Sequence, residues 1–196
     1  MAGFKYEMPP EVERELCDIS TIKRMTGGVN IKANGLSDDF RIPTLAPLAV
    51  VVDGTKREGE VLIRARVTEA ASGSKVKVAK GIPLSAGMFL SDGENSLTVK
   101  SVNTTNEAYD EITASDSITG FVLGAVVFEA TDNSANTPKG VATNLNYSWQ
   151  KVKDAKSNGM TPIYRAFEVR ESKLYIPLTE ADKDSLRKNG VYVFTY

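Results

Sequence analysis

Two side-chain types that carry much of enzymatic proton transfer and metal binding are nearly missing from this chain: there is no histidine, and Cys17 is the one cysteine. A Ser-His-Asp or Cys-His nucleophile needs an imidazole to take up the proton. A zinc site built from His and Cys needs three or four such ligands, and an intramolecular disulfide needs two cysteines. These chemistries are excluded, which leaves a carboxylate pair, a lysine or an oxygen-ligated cation. Glu107, Asp110, Glu111 and Asp116 crowd one polar stretch, and glycoside hydrolysis uses two carboxyl groups roughly 5 to 9 Å apart. A general acid also needs an apolar pocket to raise its pKa. The neighbours here are only Ala108, Tyr109 and Ile112, so the four read as solvated loop charges. Trp149 with Tyr147 is the single aromatic cluster, fewer platforms than β-type sugar-binding modules offer, and reads as core. Phosphate-loop, dinucleotide, HExxH and EF-hand patterns are absent. Gly27-Gly28 and the glycines from Gly81 to Gly87 read as turns, since no helix follows them to hold a phosphate. No catalytic residue is assigned, and no metal or organic cofactor is expected.

The charges nearly cancel, with 24 basic and 25 acidic residues in 196, so no global field draws the chain to nucleic acid or anionic lipid. Their distribution is uneven. Arg64, Arg66, Lys75, Lys77 and Lys80 stand against Glu69, a net of +4, while from Asp92 to Asp132 eight acids face Lys100, a net of −7. Such blocks are either solvated faces or complementary surfaces that meet between copies in an assembly, where they set register and orientation. The N-terminal residues place acids and prolines where a secretory signal has its apolar core. The longest apolar run, Leu45 to Val52, is broken by Pro47 and is far short of the roughly 20 residues that span a bilayer. A protein made in a cytoplasm, without membrane contact, is expected.

The elements that must position any site are mostly strands, in a chain whose length suits about one large domain with appendages. Val12, Leu16, Ile19, Ile22 and Met25 recur at helical spacing behind Pro9-Pro10 and ahead of Gly27-Gly28, which predicts an amphipathic helix over Glu11 to Met25. That stripe either covers the protein's own sheet or docks on a neighbouring chain. Pro43 and Pro47 predict an edge strand or extended arm leading into Leu48 to Val52. From Glu60 to Thr68, Val61, Ile63, Ala65 and Val67 share a buried face while Leu62, Arg64, Arg66 and Thr68 share a mostly wet one, and Lys75 to Ala79 returns as a hairpin. Leu97 to Val102 is a strand, Asn103 to Ser117 an exposed loop with a helical turn at Glu107 to Glu111, and Phe121 to Ala130 a strand buried on both faces. Strands follow at Asn146 to Ala155, Ile163 to Arg170, Lys173 to Leu178 and Val191 to Tyr196. Between the last two, Thr179 with an acidic N3 residue starts a short helix that Gly190 stops.

The order of a proline-broken strand (Ile42-Pro-Thr-Leu-Ala-Pro-Leu48), a basic hairpin, the phrase Gly81-Ile-Pro-Leu-Ser-Ala-Gly87, a polar loop and Ile118-Thr-Gly-Phe-Val-Leu-Gly124 resembles tailed-phage capsid decoration proteins. The resemblance covers residues 40 to 130. It implies a mostly β module that binds the outer capsid lattice and reinforces it without catalysis, as a decoration protein, head-fibre base or auxiliary capsid protein.

The expectation is therefore a mainly β chain, an antiparallel barrel or sandwich-like module. Residues 1–40 form an N-terminal helix and arm, 41–140 a central β domain, and 141–196 a C-terminal β segment with one short helix. Its expected role is a structural virion protein on the capsid surface. The expected partners are the major capsid protein or other virion proteins and further copies of itself, with no direct nucleic-acid contact. The expected partner-binding residues are Val12, Leu16, Ile19, Ile22, Met25, Leu45 and Leu48: the prolines stiffen their surroundings and the apolar side chains anchor. The alternative is a β-type carbohydrate-binding module or small glycosidase, which would show an exposed aromatic platform or two carboxylates converging in a cleft.

Overall fold

The alternation in residues 60–79 builds the centre of the molecule. The structure, a computed structural model, describes residues 15–32, 35–134, 136–153 and 158–196. In chain order the strands are β1 (Asp18–Arg24), β2 (Val29–Lys32), β3 (Arg41–Ile42), β4 (Pro47–Asp53), β5 (Lys56–Val61), β6 (Arg64–Ser72), β7 (Lys75–Ala79) and β8 (Phe89–Ser91). They continue with β9 (Ser96–Asn103), β10 (Tyr109–Ala114), β11 (Val126–Glu129), β12 (Asn144–Asn146), β13 (Gln150–Lys151), β14 (Asn158–Met160), β15 (Pro162–Arg170) and β16 (Val191–Thr195). A 3-10 turn at Glu171–Lys173 and the helix α1 (Glu180–Asn189) separate the last two. The fold is mainly β.

Two large assemblies of strands result, with β3 and β13 pairing as a separate two-stranded sheet. Strands β10-β7-β6-β11-β8-β9 close into a barrel, and β1-β15-β12-β4-β5-β2-β14, with β16 alongside β15, form an eight-stranded sheet. The barrel takes residues 64–129, and the sheet joins 18–61 to 144–195. Val61, Ile63, Ala65 and Val67 all enter one apolar cluster as the chain leaves β5 and starts β6, so a single alternating run stitches sheet to barrel. That cluster holds Val76, Val78, Leu90, Leu97, Val99 and Ile112 from the barrel with Val29, Ile31, Leu48 and Met160 from the sheet. A barrel of six strands is narrow enough for side chains to fill it. A second cluster, with Leu145, Ile163, Ala166, Val169 and Tyr192, is closed by Leu186 of α1. The helix has the expected ends: Thr179 and Asp182 form a reciprocal capping box, and Gly190 caps the C-terminus.

Several expectations are corrected. No helix forms over the described part of residues 11–25: Asp18–Arg24 is strand β1, paired with β15, and Val12, like the rest of 1–14, lies outside the described residues. The reason is a bulge. Asp18 opposes Phe167 and Lys23 opposes Arg165, so five steps on β1 match two on β15. Asp18 Oδ1 accepts from the Ser20 N–H at 2.9 Å and its hydroxyl at 2.7 Å, and the Phe167 N–H donates to Thr21 Oγ1 at 2.9 Å. Side-chain oxygens thus replace part of the ladder, and the apolar spacing of three is that of a bulged strand made of β-branched Ile19, Thr21 and Ile22.

β4 is not an edge strand or arm. It lies between β12 and β5, and Pro47 is tolerated because it opens the strand. Tyr109–Ala114, expected as loop and helical turn, is β10, whose alternate residues Asp110, Ile112 and Ala114 point inward. An aspartate at an inward position hid the pattern. Phe121 to Ala130 is not one continuous strand, since β11 begins only at Val126. Lys173 to Leu178 makes no ladder, although Leu174, Ile176 and Leu178 are buried. Leu62 and Arg64, placed on a wet face, are both buried. Among the described residues no helix is long and apolar enough to cross a membrane.

Candidate functional site

Of the residues expected to bind a neighbour, Leu16, Leu45 and Leu48 are buried in this chain's own core, Ile22 packs on the second cluster and Met25 on the first. Among the described ones only Ile19 is well exposed, because the bulge throws it outward. They form no common face. Four of the five residues of the basic block are absorbed within the chain: Lys75 pairs with Glu111 and Lys77 with Glu69, both at 2.7 Å, Lys80 with Asp110 at 2.8 Å, and Arg64 with Asp182.

The last pair is the most deeply buried ion pair among the described residues. Arg64 is 1% and Asp182 0% exposed. Arg64 Nε and Nη2 donate to the two carboxylate oxygens at 3.0 and 3.2 Å, Nη2 also donates to the Gly140 carbonyl at 2.6 Å, and Nη1 to the Ile63 carbonyl at 3.0 Å. Asp182 accepts further from the N–H of Ala142 and of Thr179 and from the Thr179 hydroxyl. Burial alone would push the Asp182 carboxyl up, but the Arg64 guanidinium and these N–H donors outweigh it and hold it below the usual carboxylate range. With every polar atom of the pair engaged, this is a clamp joining the first barrel strand to α1.

Two of the four candidate carboxylates, Asp110 and Glu111, are engaged in the same way. Asp110 is buried and accepts from Lys80 Nζ and from the Gly81 N–H, each at 2.8 Å. Trp149 is half-buried with the Arg41 guanidinium 4.5 Å above its ring, and Arg24 stands 4.9 Å over Tyr147. A cleft of about 420 Å³ between the barrel and the start of α1 is lined by Asp92 and Glu180 among others. Glu180 pairs with Lys183 at 2.6 Å, and Asp92 serves the loop described next.

That loop, residues 115–125, is where the structure places exposed apolar side chains on a rigid support. Phe121 is buried, while Val122 and Leu123 are 63% and 69% exposed. Backbone bonds pin the loop to β6: Ala71 N–H to the Phe121 carbonyl at 3.1 Å, Gly124 N–H to Val67 and Val67 N–H to Ala125, both at 2.9 Å. Asp92 Oδ2 accepts the Phe121 N–H at 3.0 Å, and its Oδ1 accepts from the N–H of Glu94 and Asn95. Partial burial would raise the Asp92 carboxyl, but these bonds dominate and hold it low. Phe121 adopts φ +53° and Gly120 φ +79°. A Cβ on Gly120 would collide with the Asn95 amide, so glycine is required for the loop to approach the 92–95 turn. The sequence signal was the pair Gly120 and Gly124 bracketing Phe-Val-Leu, masked by the apolar run that follows.

A second exposed surface lies on the sheet. Lys23, Arg165 and Val191 are cross-strand neighbours in one row, so they share a face, and Val193 follows two residues on. Ile163 and Ala166 both point into the core, which leaves Tyr164 and Arg165 as a bulged pair directed outward. Val191 and Val193 are 54% and 47% exposed and Tyr164 is also exposed. The Arg165 guanidinium lies 4.8 Å over Phe167, and its buried Nε has no hydrogen-bond partner among the described residues. Compared with known protein families, curated proteins and solved structures, the chain matches none.

Proposed function

We propose that this chain is a non-catalytic structural protein of a phage-type particle, seated on the outer surface of the capsid lattice and holding neighbours together there. The observation that carries the reading is the pinned 115–125 loop, which presents Val122 and Leu123 to solvent on a backbone fixed at both ends and at Phe121. Exposed apolar side chains cost less to order when the loop is already rigid, so more of the area they bury goes into affinity. A lattice multiplies such modest contacts by avidity. Of the phrases that resemble decoration proteins, the glycine phrase 81–87 and the Phe-Val-Leu phrase fall in this barrel, and the proline phrase 42–48 leads into β4 of the sheet.

The sugar-binding or glycosidase reading has less support. The aromatic faces of Trp149 and Tyr147 are covered by guanidinium groups, and the Asp92 carboxyl is held low, opposite to what a general acid requires. The test is co-expression with a tailed-phage major capsid protein. The chain is expected to sediment with assembled shells saturably, and Leu123→Asp to reduce its occupancy while the purified variant keeps its β circular dichroism and melting temperature. A folded wild-type chain that never sediments with shells overturns the proposal.

A further inference from the structure

β16 has a backbone partner on one side and an open edge on the other. It pairs in parallel with β15, and no second strand joins it among the described residues. Two β15 donors point away from it: the Arg170 N–H donates to the Leu16 carbonyl and the Phe167 N–H to Thr21 Oγ1, both at 2.9 Å. The register, Arg165 with Val191, Ala166 with Tyr192, Val169 with Phe194 and Arg170 with Thr195, is then met through the backbone groups of Val191, Val193 and Thr195. Those of Tyr192 and Phe194 face the open edge, where no described residue bonds them. Tyr192 is only 5% exposed, and backbone groups so close to a core are almost always paired. The strand, Val-Tyr-Val-Phe-Thr, carries no charge and no proline to blunt its edge.

One segment of the chain starts beside this edge. Residues 1–14 lie outside the described residues and join the fold at Glu15, which Arg170 Nη1 holds at 2.6 Å, and at Leu16. Arg170 has Thr195 on its other side, so the segment starts one strand away from the end of β16. Strands lie about 4.8 Å apart, which puts a strand outside β16 roughly 15 Å from Leu16. Residues 9–14 alone span up to about 20 Å when extended. Further back, Phe4, Tyr6 and Met8 alternate with Lys5 and Glu7, a strand period that ends at Pro9-Pro10 and matches the five residues of β16 in length. Lys23, Arg165 and Glu168 give the nearby surface mixed charge, so reach and pattern, not charge, select the occupant.

From this we infer that residues 4–8 pair with the open edge of β16 in their own copy as a further strand. Returning from the Thr195 end, the segment runs parallel to β16 and sets Tyr6 beside Val193, with Phe4 and Met8 on the same side. Val191 and Val193, 54% and 47% exposed, gain cover there, and Tyr192 and Phe194 gain backbone partners. The edge is then closed to pairing with other chains. The pairing does not involve the 115–125 loop and stands or falls apart from the role proposed for it.

The experiment is disulfide trapping in the full chain carrying Cys17→Ala. Tyr6→Cys with Val193→Cys places two thiols on neighbouring strands, within the Cα separation of about 4.4 to 6.8 Å that a disulfide needs. The control pair is Tyr6→Cys with Ile19→Cys, since Ile19 is 76% exposed and close to Glu15 in the chain. Under mild oxidation the first pair is expected to link within one chain about tenfold faster than the control, as read by mass spectrometry of the monomer on a non-reducing gel, and to lose that advantage in urea. Amide exchange gives a second reading. Lys5→Pro with Tyr6→Pro removes two consecutive N–H groups, one of which faces β16, and the Tyr192 and Phe194 amides should exchange at least about tenfold faster than in wild type. Equal linking of the two pairs, a link that joins two chains, or exchange at Tyr192 and Phe194 that the prolines leave unchanged each overturns the inference. Should Val193→Cys disturb folding by circular dichroism, the exchange comparison decides alone.

Discussion

Replacing Asp182 by alanine strands a buried cation. Five donors converge on that carboxylate: Arg64 Nε and Nη2, the N–H of Ala142 and Thr179, and the Thr179 hydroxyl. Breaking a buried ion pair by removing one partner costs roughly 3 to 5 kcal/mol, because the survivor stays desolvated and unpaired. With a whole-domain stability of about 5 to 15 kcal/mol, Asp182→Ala is expected to lose roughly a fifth or more of the total. The double variant Arg64→Met with Asp182→Leu removes both charges and keeps the volume. It should lose only about 1 to 2 kcal/mol, since the Ala142 and Thr179 N–H groups are still left without an acceptor. Urea unfolding followed by both Trp149 fluorescence and far-UV circular dichroism measures each loss and checks that one transition is seen. Single losses that merely add up in the double variant, or an Asp182→Ala loss under about 1 kcal/mol, refute the clamp as a coupled unit. The acid limb gives a second reading. The folded Asp182 pKa lies below its unfolded value of about 3.9, so the unfolded chain binds more protons between the two. The carboxylate's contribution is complete above the unfolded value and drains as pH falls through the folded one, and Asp182→Asn should flatten that dependence.

Gly120→Ala is expected to destabilise the protein by about 1 to 3 kcal/mol and to loosen the 115–125 loop, seen as faster amide exchange at Phe121, whose N–H bonds Asp92; unchanged exchange contradicts the pinning. Thr179→Ala removes the helix cap and one of the Asp182 donors and should cost about 1 to 2 kcal/mol in the same urea assay. Burial, reinforced by the nearby Asp18 charge, pushes the Cys17 thiol up to about 11. At pH 8 it is therefore ~0.1% thiolate against ~25% for a free cysteine, and Cys17 should react with a disulfide reagent at least tenfold more slowly folded than in urea. Cys17→Ala should leave the fold intact with a loss of at most about 2 kcal/mol.

What could be read from the residues alone is what neighbours in the chain decide. The capping box of Thr179 and Asp182, the stop at Gly190, the alternation of Val61, Ile63, Ala65 and Val67 and the β6–β7 hairpin each need only a few consecutive residues. Composition likewise excluded imidazole chemistry without any structure. Tertiary structure decided the rest, because each remaining feature needs a partner far along the chain. Ile163, Ala166 and Val169 sit three apart, yet their strand is real: one bulge falls at Tyr164–Arg165, and a second register shift at Glu168, with φ +54°, turns period two into period three. The same displacement made β1 look helical. Arg64 and Asp110 carry charge at inward positions, so they read as solvent-facing until Asp182, 118 residues away, and Lys80 supply the counter-charges. Pro47 suggests an edge, and only the pairing of β4 with both β12 and β5 puts it at the sheet's centre. Hydrophobicity alone also cannot tell Phe121, which is buried, from Val122 and Leu123, which are not. That difference depends on the bonds to Asp92 and β6, contacts that no local pattern records.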